Sequence, residues 1–151
     1  MPLYANALQL IRANLELLKA GERPKFVSIG YLTDAQHQGI NAIREKEGKP
    51  LLDGPLVLFM GRHLYESRAI KDGYSIDDMM VMVENAMSDQ SVAQGSNKMT
   101  GMMNHTRRAD AYGNHVRDMA VFELYAKRPK AELLSVIPKG DTRNRPIDQQ
   151  K

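Results

Sequence analysis

The stretch Leu56–Met87, LVLFMGRHLYESRAIKDGYSIDDMMVMVENAM, decides how the rest of the chain is read. Leu56 to Met60 form an unbroken apolar run between Gly54-Pro55 and Gly61, the length of a buried strand and too short for a useful helix. Arg62 and His63 therefore fall where that strand ends. From Leu64 to Asp72 the composition favours a short helix stopped by Gly73, and on an α-helix Arg68 and Lys71, three apart, share a face. Ser75 with Asp78 three positions later is a capping pair. It opens a second helix whose Ile76, Met79, Met80, Val83 and Met87 lie on one side.

Working outward, Tyr4 to Ala20 reads as a helix with Leu8, Ile11, Leu15 and Leu18 inward and Arg12, Asn14 and Glu16 facing away; Gly21 and Pro24 stop it. Lys25 to Leu32 alternates as a strand, with Val27, Ile29 and Tyr31 on one face and Gly30 marking a bulge or a close contact. Thr33 and Gln36 form a capping box for a helix ending near Glu47, whose thin apolar content (Ala35, Ile40, Ala42, Ile43) places it at the surface. Asp89 to Lys98 lacks periodicity and reads as a loop before a short strand at Met99–Met103. The polar segment 104–114, NHTRRADAYGN, is a candidate substrate loop.

His115–Ala126 and Glu132–Ile137 give a hairpin signal, with its turn at Lys127–Lys130. Val116, Asp118, Ala120 and Phe122 share one face of the first strand, and Arg117, Met119 and Val121 the other. On the return strand Leu133, Ser135 and Ile137 alternate with Leu134 and Val136 until Pro138 and Gly140 end it. The expected fold class is α+β, with N-terminal helices packed on a mainly antiparallel sheet of four to five strands that ends in the C-terminal hairpin. One domain is expected over 1–140 and a disordered tail over 141–151.

A chain of 151 residues can bury roughly 70% of its unfolded surface in a single core. No run approaches the roughly 18 apolar residues of a membrane span, and the N-terminus lacks a signal-peptide pattern. No membrane partner and a cytoplasmic location are the expectation. The absence of cysteine excludes disulfides and thiolate chemistry. Net charge is only +3, but Lys98–Lys151 carries eleven Lys or Arg against six Asp or Glu. Such a basic segment makes nucleic acid the first partner to consider. Seven of the ten methionines lie between Met79 and Met103, a spacing suited to an adaptable core.

No GxGxxG, GxxxxGKS/T, HExxH, GxSxG or EF-hand pattern is present, so no cofactor is implied. The histidines His37, His63, His105 and His115 have no metal-ligand spacing, and no metal site is expected. What remains is a set of proton-transfer and phosphate-binding side chains. His63, Arg68, His115 and Arg117 are the candidate catalytic residues; Arg62, Lys71, His105, Arg107, Arg108, Ser135 and Lys139 are candidate substrate contacts. Such a set fits metal-independent RNA cleavage, in which one group deprotonates the ribose 2′-hydroxyl, another protonates the leaving 5′-oxygen, and cations hold the phosphate. Histidine titrates near neutral pH, and arginine grips phosphate through two parallel hydrogen bonds. The plainer reading of each residue is a solvated or hydrogen-bonded structural side chain.

His63, Arg68 five residues later, Gly73, the helix opening Ser75-Ile76-Asp77-Asp78, the polar segment and the hairpin together resemble the small bacterial and phage RNases of the barnase, EndoU, colicin and RelE-like group. The resemblance spans Leu56 to Lys139. It implies helices against a four-stranded antiparallel sheet bearing the active site, RNA as substrate, and an immunity or antitoxin protein as partner. It also implies site roles for His63 and Arg68, with Ser135 and Lys139 from the last strand. The leading expectation is thus an RNA-cleaving enzyme of phage or mobile-element type. The alternatives are a non-enzymatic nucleic-acid-binding module using Arg107–Lys130 and an inhibitor of a host protein acting through the Met-rich surface.

Overall fold

A computed structural model describes residues 2–95, 99–124 and 128–140, with the backbone alone at 123 and 124. The expected tail 141–151 and part of the hairpin turn lie outside the described residues. Helix α1 (Ala7–Lys19) leads to strand β1 (Val27–Tyr31), helix α2 (Asp34–Lys46) and strand β2 (Leu56–Phe59). Helix α3 (Arg62–Leu64) runs directly into a π-helical segment, Tyr65–Lys71, and is followed by α4 (Ile76–Ala86). Then come β3 (Val92–Gly95), β4 (Met99–Met103), β5 (Arg108–Ala109), β6 (His115–Leu124) and β7 (Ala131–Gly140). No helix among the described residues is long and apolar enough to cross a membrane.

The fold is α+β, with one mixed sheet in the order β1-β2-β7-β6-β4-β3 and β5 beside β6. The run β7-β6-β4-β3 is antiparallel throughout. The expectation of four to five strands fell short: there are seven among the described residues, and β2 meets β7 in parallel. A parallel neighbour needs a long crossover, here everything from α3 to β6, and no local pattern announces it.

Both capping boxes form. Thr33 and Gln36 exchange side-chain and backbone bonds at the start of α2, and Ser75 and Asp78 do so at α4. Ile11 and Leu15 of α1, Ile40 of α2 and Met79, Met82, Val83 and Ala86 of α4 share one buried cluster with Ile29, Val57, Phe59, Met102, Ala120, Phe122, Leu133 and Val136 of the sheet. Helices α1, α2 and α4 therefore pack against one face. The opposite face carries Met103, Met119, Val121, Ser135 and, toward its end, Arg117 and Lys139. Gly30 is both a bulge and a close contact: β1 shifts register there, and an added Cβ would stand 1.9 Å from the Pro2 carbonyl oxygen.

Four local expectations need correction. Asn14 does not face away; it is buried, and its amide is saturated by backbone groups. Helix α2 lies at the surface, but its inner stripe is not the thin apolar one expected: Gln36 and Arg44 are buried with Ile40, and Arg44 donates to the carbonyls of Pro50 (3.0 Å) and Arg128 (2.9 Å). A polar count misplaces such a residue, since the long stem packs while carbonyl dipoles solvate the charge. Segment 92–95, read as loop, pairs with β4 as strand β3. On β7, Val121 faces Ser135 and Phe122 faces Leu133, leaving Leu134 as the extra residue of a bulge. The bulge turns Leu133 and Val136 to the same core face, breaking the expected alternation and also carrying β7 on to Gly140.

Candidate active site

Strand β2 ends at a turn that only glycine makes easily. Gly61 has φ 99°, and an added Cβ would stand 2.7 Å from the Phe59 ring. The chain then enters α3 with Arg62 and His63 exposed and Leu64 buried as the anchor beneath them. The following π-helical run replaces i→i+4 bonds by i→i+5 bonds, a rare winding frequently met at functional sites. Its wider turn also separates Arg68 from Lys71, which a regular helix would have set on one face.

Met60, Gly61, Arg62, His63, Glu66, Glu132 and Leu134 line an open pocket of ≈ 290 Å³. Glu132 sits between Ala131 and Leu133, both in the core, and so points away from it into the hollow that α3 and the π-helical turn also line. Arg128 donates to it across 2.9 Å. Ser67 Oγ stands 3.5 Å from His63 Nε2, a long contact that leaves the imidazole largely open to solvent. An imidazole, two carboxylates and a guanidinium thus meet around one hollow. They are spread around its rim, and no three acidic or histidine side chains among the described residues gather closely enough to hold a metal ion.

Glu66 and Glu132 were not among the candidate residues. Glu66 was findable, since it follows His63 by three positions on a helical turn. Glu132 was not, because only the parallel β2–β7 pairing brings it there.

The remaining candidates divide into groups. Arg68 does not line the pocket; its guanidinium pairs with Asp72 at 3.2 Å. Lys71 is exposed at the end of the π-helical run. Arg117 lies opposite Lys139 across β6 and β7, with His115 two residues away on the same face. Lys139 is five residues along β7 from Leu134, which at about 3.3 Å per residue sets this cationic group roughly 17 Å from the His63 pocket. Neither Arg117 nor Lys139 lines the hollow that holds His63. Ser135 is buried, and its Oγ has no hydrogen-bond partner among the described residues. His105 is exposed beside Gln94 (3.4 Å), and Arg107 is exposed on the same loop.

Arg108 is committed to the interior. It forks onto Asp118 with bonds of 2.6 and 2.8 Å. Burial works against its charge, but the hydrogen bonds and charge of Asp118 outweigh this and hold its pKa above the ordinary value. Nearby, buried Tyr74 donates to Asp110, and its phenol is pushed well above the usual tyrosine range, first by burial and then by that carboxylate. Tyr112 donates to the Asp72 carbonyl (3.0 Å), tying the polar loop to the end of the π-helical run.

Compared with protein-family models, curated proteins and solved structures, the chain matches none. What the structure itself defines is an α+β protein with a mixed sheet and an open pocket lined by an imidazole, two carboxylates and a guanidinium at the end of its second strand.

Proposed function

We propose that the protein is an endoribonuclease that cleaves RNA without a metal and that the reaction occurs in the pocket around His63. The observation that supports this reading is the meeting of His63, Glu66, Glu132 and Arg62 around one open hollow beside a π-helical turn. Glu66 takes the proton of the ribose 2′-hydroxyl, the 2′-oxygen bonds to phosphorus, and the P–O5′ bond breaks. His63 gives its proton to the departing 5′-oxygen. Arg62 holds the non-bridging oxygens, where negative charge builds up. Glu132, paired with Arg128, lines the same hollow and bounds the space that the leaving nucleotide would occupy.

On this reading RNA and an inhibitory immunity or antitoxin protein are the partners of the same pocket. The test is incubation with a defined oligoribonucleotide in excess EDTA. The expected products carry a 2′,3′-cyclic phosphate and a 5′-hydroxyl; an intact oligonucleotide overturns the proposal.

A second reading, nucleic-acid binding without turnover, is favoured by the group His115, Arg117 and Lys139. It lies too far from His63 for proton transfer but within the span of a few nucleotides. It predicts salt-dependent binding with no product.

A further inference from the structure

We infer that a second phosphate subsite, formed by Arg23 and Arg62, adjoins the His63 pocket and receives the phosphodiester of a neighbouring nucleotide; this rests on reading that pocket as an RNA site. A depression of ≈ 490 Å³ is lined by Leu18, Gly21, Glu22, Arg23 and Arg62. Arg62 lines both hollows, so they adjoin across its side chain. Among the described residues neither arginine has an acidic partner, unlike Arg12, Arg68, Arg108 and Arg128. Glu22 is the opposing charge in the hollow, outnumbered by two guanidinium groups.

The spacing of the two arginines is built into the fold. Asn14, 2% exposed, donates to the carbonyls of Lys25 (2.6 Å) and Met60 (3.0 Å) and accepts from the Lys25 amide (3.0 Å). One buried amide thereby ties the loop carrying Arg23 to the corner carrying Arg62. Pro24, itself buried, stiffens that loop next to Arg23. The backbone anchors of the two cations are thereby fixed relative to one another, and guanidinium suits phosphate through its planar fork. The substrate strand then leaves the reaction centre toward the α1–β1 loop.

The experiment measures binding of a labelled single-stranded oligouridine to the His63→Ala protein over a series of KCl concentrations. Adding Arg23→Ala is expected to weaken binding about tenfold at low salt and to flatten the slope of log K against log[KCl] by about 0.7, the loss of one phosphate contact on a single strand. Arg23→Lys is expected to restore the slope. An unchanged slope in Arg23→Ala overturns the subsite. Cleavage by the unmodified protein is scored separately: a lowered slope without any cleavage supports the subsite and removes the catalytic reading, while cleavage with an unchanged slope removes the subsite alone.

Discussion

Tyr74 donates its phenolic hydroxyl to Asp110 Oδ2 across 2.9 Å, and both side chains are buried. The other carboxylate oxygen accepts the backbone amides of Tyr112 and Asn114, each at 2.9 Å. One acidic side chain thus fixes the polar loop to the start of α4. Tyr74→Phe leaves that carboxylate short of a donor in the interior, and a loss of about 1–3 kcal/mol in urea unfolding is expected. The pH dependence follows from the raised pKa of Tyr74. Its contribution is complete below about pH 10, where an unfolded tyrosine begins to ionise, and declines as pH rises further, because only the unfolded chain then releases the proton. Stability above pH 10 should therefore fall more steeply in the parent protein than in Tyr74→Phe.

Arg108 looked like a substrate contact in the sequence and is a structural cation in the fold. Asp118 is 1% exposed, so Arg108→Ala strands a buried carboxylate, with an expected loss of about 3–5 kcal/mol. Chemical unfolding checks this. A variant that keeps its stability while losing RNA affinity would return Arg108 to the substrate-contact group.

Gly101 lets β4 approach β6, since an added Cβ would stand 1.8 Å from the Ala120 carbonyl oxygen. Gly101→Ala must force the strands apart, with an expected loss of about 3 kcal/mol, the upper range for overpacking. Gly54 has open space around its Cβ position and no positive φ, so Gly54→Ala is expected to stay within about 0.5 kcal/mol of the parent. Paired melting curves of the two variants separate the effects.

How much of this was legible depended on range. Features written in neighbouring residues were readable: both capping boxes, the α1 and α4 stripes, the end of β2 at Gly61, and the faces of β6 as far as Phe122. Features set by distant partners were not. Asn14 and Arg44 are polar residues whose burial is permitted by carbonyls brought from elsewhere, and the Leu134 bulge is visible only once β6 and β7 are in register. The candidate site divides in the same way. His63 and Arg62 stand together because they are adjacent, whereas Glu132 arrives through the parallel pairing of β2 with β7. The resemblance likewise grouped His63 with Arg68, but the Arg68 guanidinium is held by Asp72, four residues along the same turn.

Proton transfer by the imidazole at the end of β2 is the step on which the proposed reaction turns. Its most direct test is the single-turnover rate of oligoribonucleotide cleavage at neutral pH in EDTA, comparing the parent with His63→Ala. His63 is exposed and makes only one long contact, so the substitution should leave the urea midpoint unchanged. The predicted rate falls by about 10²–10⁴, the usual contribution of a general acid. An equal rate in the two proteins, or no cleavage by the parent, would contradict it.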